Sequence, residues 1–475
     1  MNLVEKIFKY KEYNKIAIID SQKNSITYSE IYNSSVELAF EMEMKNCSKN
    51  VVIYTGNTVE YVIGLFAIWM TNRTAILVDN YTKQDEVNNI LEYFISDTII
   101  HSHLKDADNI ICKNIFIPEK SCEKREGWKY RKITNDIAII FQTSGTTQHP
   151  KYVEITHKGI SEQCREISRA HDFGVDTREI LIVPITSSFG TCGILLPNLY
   201  VGGMVALYQG NFNIAKIRRF IRETRVTIVA CTSSILMLLI ENDYSRVRDF
   251  DSVRYVISAG EVSNIGIFER AKKVFGAENI VQAYGLTETS SQIAGSCIDQ
   301  NAPYESVGRV LNNFTVRIKD NMVIRKKNEI GEIQVKGNAV TCGYYKNNEL
   351  NEESFDDGWF RTGDIGYVDD RGYLYIKGRI KNIIIVGGLN VYSEEVEKIL
   401  MQNANIAFAY VYGKKSGVTG EKVVCEITLN EGANVSIDEL IEYCRNNMKS
   451  YMIPKEFVVV SRQKISTSGK VARRR

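Results

Sequence analysis

Residues 137–151 read Ile137-Ala138-Ile139-Ile140-Phe141-Gln142-Thr143-Ser144-Gly145-Thr146-Thr147-Gln148-His149-Pro150-Lys151. The run Ile137 to Phe141 is short, β-branched and bounded by polar residues, which predicts a buried strand. The strand empties into a loop of hydroxyls, one glycine and a lysine. Hydroxyls and backbone N–H groups at such a strand end can wrap phosphate oxygens, and Lys151 adds positive charge. The spacing is not that of a Walker A loop, and Gly469-Lys470 does not supply one either, because Val471 follows it. Alone, a Ser/Thr/Gly cluster is more often a plain polar loop, so its meaning depends on its surroundings.

Those surroundings alternate. Upstream, Ile16 to Ile19 reads as a strand. Thr27-Tyr28-Ser29-Glu30 is a capping-box pattern opening an amphipathic helix to about Met44. Val51 to Tyr54 reads as a strand, Val59 to Met70 as an apolar helix, and Ala75 to Val78 as a buried strand. Downstream the pattern resumes at Ile180 to Val183, Val226 to Ala230 and Val253 to Ile257. Strands alternating with helices at this spacing predict βαβ units and a largely parallel sheet. From about residue 300, short alternating segments such as Glu332-Ile333-Gln334-Val335 predict a small antiparallel β module. After Gly378-Arg379 a last α/β unit follows. It has a helix near Val391 to Gln402, strands at Ala407 to Tyr412 and Val423 to Ile427, and a helix near Ile437 to Met448. The main boundary falls at 379–382, dividing the chain into domains 1–378 and 379–475.

Composition narrows the function classes. Of 475 residues, 59 are Lys or Arg and 57 Asp or Glu, giving +2 and no net field toward nucleic acid or an anionic membrane. A hydrophobic share of 44% with 24% charged residues is that of a globular protein. The closest two of the ten cysteines are Cys112 and Cys122, so no CxxC metal or redox motif exists. Scattered thiols among apolar neighbours read as buried hydrophobes in a reducing compartment, and a cytoplasmic location is expected. Met1 to Lys15 holds no apolar run of signal-peptide length. The uncharged stretch Ile180 to Ala215 is broken by Pro184, Gly190, Gly193, Pro197, Gly202 and Gly203, which predicts buried α/β structure rather than a membrane span.

Three further motifs carry chemistry. In Tyr284-Gly285-Leu286-Thr287-Glu288-Thr289 a ring could stack on a base, a hydroxyl donate to phosphate, and a carboxylate hold Mg²⁺. In Trp359-Phe360-Arg361-Thr362-Gly363-Asp364, followed by Gly378-Arg379-Ile380-Lys381, Asp364 could accept two ribose hydroxyls; the plainer alternative is a β-turn aspartate. In Ser466-Thr467-Ser468-Gly469-Lys470 a lysine on a Gly/Ser loop could approach an oxyanion, or belong to a solvated basic tail.

In order, spacing and flanks, the four motifs from Thr143 to Lys470 resemble the adenylate-forming (ANL) superfamily. That superfamily includes acyl- and aryl-CoA synthetases, adenylation domains of nonribosomal peptide synthetases, and firefly luciferase. The resemblance extends weakly back to Thr27-Tyr28-Ser29-Glu30. It implies an α/β fold: a large N-terminal domain of stacked α/β sheets with a β module, and a small mobile C-terminal α/β domain. It implies an acid–thiol ligase that uses MgATP to make acyl-AMP and pyrophosphate. The acyl group then passes to coenzyme A or to the phosphopantetheine of an acyl carrier protein. By resemblance, Thr143, Ser144, Gly145, Thr146 and Thr147 hold the β- and γ-phosphates, with Lys151. Thr287 contacts the α-phosphate and Glu288 the Mg²⁺. Tyr284 stacks on adenine opposite the backbone of Ala259, Gly260 and Glu261, and Asp364 and Arg379 hold the ribose. Lys470 lies between carboxylate and α-phosphate. Lys381 is the hinge, and Gly387 and Gly388 line the thiol tunnel.

The departures from that pattern also carry expectations. The two loop glycines of the family are Gln148 and Tyr152 here, which stiffens the loop and predicts a slow or selective first half-reaction. Asn382 and Ser393 replace a usual aspartate and proline near the hinge, and Lys464 a usual proline. Ser188 and Phe189 are expected to line the acid pocket. Phe189 falls where amino-acid-activating relatives carry an aspartate, so a fatty or aryl acid is expected rather than an α-amino acid, whose buried ammonium would lack a counter-charge. Ser187 stands where many CoA synthetases carry histidine. No carrier domain follows Lys470 in the sequence, so the thiol is expected from outside. The alternatives are a stand-alone enzyme loading a separate carrier protein, a luciferase-like oxygenase, and a degenerate nucleotide-binding homologue.

Overall fold

The structure, a computed structural model, describes residues 2–102, 110–118, 120–121, 131–143, 150–210, 212–240, 249–260, 265–417, 419–430 and 432–460. Its first large sheet has seven strands, in the order Gly343–Tyr344, Lys151–Thr156, Ile137–Thr143, Thr74–Asp79, Asn50–Thr55, Thr98–His101, Asn114–Phe116. The five strands from Ile137–Thr143 outward are parallel; Lys151–Thr156 turns back antiparallel on Ile137–Thr143. The second large sheet has eight strands. Ile16–Asp20, Met204–Leu207, Arg178–Leu181, Ile228–Thr232, Tyr255–Ala259 and Asn279–Leu286 form its parallel part.

The helix Val59–Met70 is apolar around its whole circumference, and every residue but Glu60 is buried. A helix of that kind belongs inside a core, and it packs on the first sheet while Tyr61 reaches Thr191 beside the second. Trp69 donates its indole N–H to the Ala138 carbonyl at 3.0 Å, satisfying the polar atom of a fully buried ring. The helix Tyr28–Met44 begins at Thr27 with both capping-box hydrogen bonds made.

The β module is antiparallel and built on Phe314–Asp320, Gly331–Gly337, Trp359–Val368 and Leu374–Arg379. The C-terminal unit has its own five-stranded sheet and its own apolar core, including Ile384, Val396, Leu400, Cys425, Ile427 and Leu440. The expected helix from Val391 starts later: Val391 and Tyr392 belong to the strand Leu389–Tyr392, and the helix is Ser393–Leu400. The hairpin with Ile383–Val386 takes those two residues, both of high β-propensity. The architecture is the expected α/β one, a large N-terminal part of stacked sheets and a smaller C-terminal part. Among the described residues no helix is long and apolar enough to cross a membrane.

Candidate active site

The parallel strands Tyr255–Ala259 and Asn279–Leu286 run side by side, with Ala259 opposite Ala283. Ligands of open α/β sheets gather at the carboxyl ends of such strands. The chain leaves Ala259 through Gly260 at φ +85°, a left-handed conformation that favours glycine. One residue past Ala283, Tyr284 donates its hydroxyl to Asp364 Oδ2 at 2.7 Å. Asp364 lies inside the strand Trp359–Val368, not on a β-turn, with its side chain 4% exposed. Its Oδ1 meets Arg379 Nε at 2.8 Å, since Arg379 is its partner across the antiparallel ladder. Burial pushes the Asp364 carboxyl above its ordinary pKa, and the Arg379 guanidinium and Tyr284 hydroxyl pull it back. The half-exposed Arg379 keeps donors available to a ligand.

Past Leu286 the chain makes a short 3₁₀ turn carrying Thr287 and Glu288. Ser188 Oγ donates to Thr287 Oγ1 at 3.2 Å, joining an expected acid-pocket residue to an expected phosphate contact. Tyr344 donates to Glu288 Oε1 at 2.8 Å, and the Glu288 carbonyl accepts from Thr341 N–H at 2.6 Å. Tyr344 was not anticipated from sequence, because a lone Gly-Tyr pair carries no local signal. Glu288 Oε2 has no hydrogen-bond partner among the described residues, and a free anionic oxygen suits Mg²⁺.

Lys151 opens the strand Lys151–Thr156, with Nζ 5.6 Å from the centroid of the Tyr344 ring. Thr143 is its ladder partner. Lys151, Tyr344, Glu288, Thr287 and Ser188 therefore form one connected series. Phe189 opens a π-helical turn, Phe189–Leu195, and packs on Gly193, where an added Cβ would come within 2.9 Å of the ring. Such turns insert a bulge that re-aims side chains. Gly387 and Gly388, both at positive φ, form the tip of the C-terminal hairpin, and the exposed Lys381 sits on the link between the β module and that hairpin. Ser144, Gly145, Thr146, Thr147, Glu261 and Lys470 lie outside the described residues.

The model of the AMP-binding enzyme family matches residues 6–345, and that of the AMP-binding enzyme C-terminal domain matches 395–470. A 2-succinylbenzoate–CoA ligase of Bacillus licheniformis is 28% identical over 97% of this chain and 96% of its own length. An oxalate–CoA ligase of Arabidopsis thaliana is 27% identical over 72% of this chain and 67% of its own. Among solved structures, the o-succinylbenzoate CoA synthetase of Bacillus subtilis in complex with its acyl-adenylate intermediate superposes with a TM-score of 0.84 at 25% identity, covering 99% of this chain and 96% of that one. ATP-bound MatB from Rhodopseudomonas palustris superposes with a TM-score of 0.88 at 21% identity, covering 99% and 97%.

Proposed function

The chain belongs to the AMP-binding enzyme family, and from that premise we propose that it is an AMP-forming acid–CoA ligase. A carboxylate oxygen of the acid attacks the α-phosphorus of ATP, the bond to the leaving pyrophosphate breaks, and acyl-AMP forms. The sulfur of coenzyme A then bonds to the acyl carbon, AMP departs, and the thiol proton goes to solvent. The observation that carries this reading is the Tyr284–Asp364–Arg379 cluster beside the Thr287–Glu288 turn, a pairing of ribose and phosphate chemistry where the second large sheet meets the β module. The names of the relatives support the acid and the acceptor class.

In this reading Asp364 and Arg379 hold the ribose and Tyr284 faces the adenine against Ala259 and Gly260. Thr287 donates to the α-phosphate. Bringing a carboxylate to a polyphosphate joins two anions, so the site must supply positive charge. Lys151 and Thr143 serve the outer phosphates, and Lys470 the attacking carboxylate and α-phosphate. Glu288, steadied by Tyr344, would hold Mg²⁺, which when bound neutralises phosphate charge. The uncharged Ser188 and Phe189 favour a fatty or aryl acid without an α-ammonium. We also take residues 379–475 as a lid turning about Lys381, which would bring Gly387 and Gly388 to the thiol path.

The test is pyrophosphate release with MgATP over fatty, aryl, dicarboxylic and amino acids, with and without coenzyme A, and with product masses recorded. We expect an acyl-CoA from an acid lacking the amine, and a loss of about 10²–10³ in rate for Lys470→Ala. Acyl-AMP without thioester would indicate a carrier-protein acceptor. Preference for an amino acid would overturn the Phe189 reading, and absence of ATP binding would overturn the whole proposal.

A further inference from the structure

Tyr152 stands directly after Lys151, at a position where the family pattern has a glycine, and it is built into an aromatic cluster. Its ring stacks on Tyr93, centroids 5.4 Å apart and planes at 28°, and meets Phe94 edge-on at 4.9 Å. Tyr345 closes the group, 4.6 Å from Phe94 and 5.8 Å from Tyr93. Phe94 is 1% exposed, so the cluster is rooted in the core under the first large sheet. Lys346 caps it, with Nζ 5.3 Å from the Tyr93 ring and 5.1 Å from the Tyr345 ring, and donates to the Tyr93 carbonyl at 3.3 Å.

The backbone repeats the connection. Tyr345 N–H donates to the Tyr152 carbonyl at 2.8 Å, and Tyr344 lies opposite Val153 in the ladder. Gln142, the ladder partner of Tyr152, donates to Glu86 Oε1 at 3.1 Å on the helix Gln84–Tyr93. That helix therefore grips both strands, one at Gln142 and the other at Tyr152. Each grip lies one residue from Thr143 or Lys151, the two strand ends that face each other in register.

We propose that Tyr152 is a positioning residue for the outer phosphates of ATP: the Tyr93–Phe94–Tyr152–Tyr345 clamp fixes where Lys151 stands. This rests on the nucleotide site proposed above and extends it. A glycine at 152 leaves the strand end free to move, so each ATP must order Lys151 as it binds. The aromatic side chain has that ordering in place beforehand. The contribution is confined to the outer phosphates, because the ribose contacts come from Asp364 and Arg379 on the β module. The Tyr152 hydroxyl makes no hydrogen bond among the described residues, so the ring alone acts.

The experiment measures affinity for MgATP and for AMP by calorimetry on the full chain, for the wild type, Tyr152→Gly and Tyr152→Phe. We expect Tyr152→Gly to weaken MgATP about tenfold, the scale of one charge-assisted contact, with AMP unchanged within about twofold. Tyr152→Phe should match the wild type for both. Equal weakening of ATP and AMP, no weakening of ATP, or a phenylalanine variant that behaves like glycine would each overturn the proposal. If Tyr152→Gly does not fold, Tyr345→Leu opens the clamp from its other side and is judged by the same ratio. A wild type that binds neither nucleotide would overturn the functional reading itself, an outcome distinct from the loss of ATP discrimination in a variant.

Discussion

His171 is fully buried, and both ring nitrogens are engaged. Nε2 lies 2.9 Å from Gln292 Oε1, and the Gln292 amide is oriented by its own Nε2 donating to Gly295 O. Nδ1 accepts from the Cys297 N–H at 3.3 Å. One nitrogen thus donates and the other accepts, which is the neutral imidazole, and the Cys297 thiol 3.0 Å from Nδ1 can donate to it as well. Burial accordingly pulls the His171 pKa down to about 4, and that of the half-buried His157 likewise. The folded value lies below the unfolded one of about 6.5, so this stabilisation is complete above about pH 6.5 and is lost as pH falls toward 4. Glu179 acts in the opposite sense. Its buried carboxyl accepts from Asn198 Nδ2, while Glu179 Oε1 and Asn198 Oδ1 lack partners among the described residues. Burial raises its pKa, so its stabilisation is lost as pH rises above the unfolded carboxyl value. We expect unfolding free energy from urea titrations to fall between pH 7 and 5. His171→Gln should show a shallower fall, and equal slopes for the two proteins would refute the neutral assignment.

At the scale of elements, the turn carrying Thr287 and Glu288 depends on how closely two strands meet. Asn279–Leu286 pairs with Ser291–Ala294 through a bulge between Tyr284 and Gly285. A Cβ at Gly285 would stand 1.6 Å from the Ser291 carbonyl oxygen, so no side chain fits without separating the strands. Gly285→Ala should therefore lower stability by about 1–3 kcal/mol and weaken AMP binding, because Tyr284 moves with it. Gly174, with nothing within 4 Å of its Cβ position, is the control, and its alanine variant should stay within about 1 kcal/mol. Thermal melts and AMP titrations of both variants check this. The same scale explains what the sequence made readable. The helix Tyr28–Met44 was legible down to its cap because Thr27 and Glu30 act locally. The strand Leu389–Tyr392 was not, because its pairing decides its state. The resemblance assigned Tyr284 and Asp364 to one nucleotide but not the hydrogen bond between them, since eighty residues separate the two. The clamp around Tyr152 was invisible for the same reason: residues 93, 94, 152 and 345 share no local pattern.

For the whole molecule, the β module meets the start of the helix Ser393–Leu400 through the Lys377–Glu395 ion pair and the close approach of Gly378. Lys377 Nζ, on the last strand of the module, meets Glu395 Oε1 at 3.0 Å. Within the C-terminal unit, Asn382 Nδ2 donates to Glu394 Oε1 at 2.5 Å, and Ser393 Oγ to Glu394 Oε2 at 2.9 Å. Gly378 presses against the same carboxylate, since a Cβ there would come within 2.5 Å of Glu394 Oε2. Asn382 suits this arrangement better than an aspartate would, because an amide donates to Glu394 whereas a second carboxylate would repel it. A join of half-exposed polar contacts, between two units with separate apolar cores, is weak beside the cores themselves. Losing the Lys377–Glu395 pair should cost the join up to about 1 kcal/mol and raise the opened population up to about fivefold. Glu395→Ala should then be cut by trypsin at Arg379 and Lys381 up to about fivefold faster than the wild type, with its melting temperature nearly unchanged, because cleavage of a transiently opened segment follows its equilibrium population. If the cutting rate is the same in both, the Lys377–Glu395 pair does not hold the join. A large fall in melting temperature would mean instead that Glu395 supports the C-terminal core.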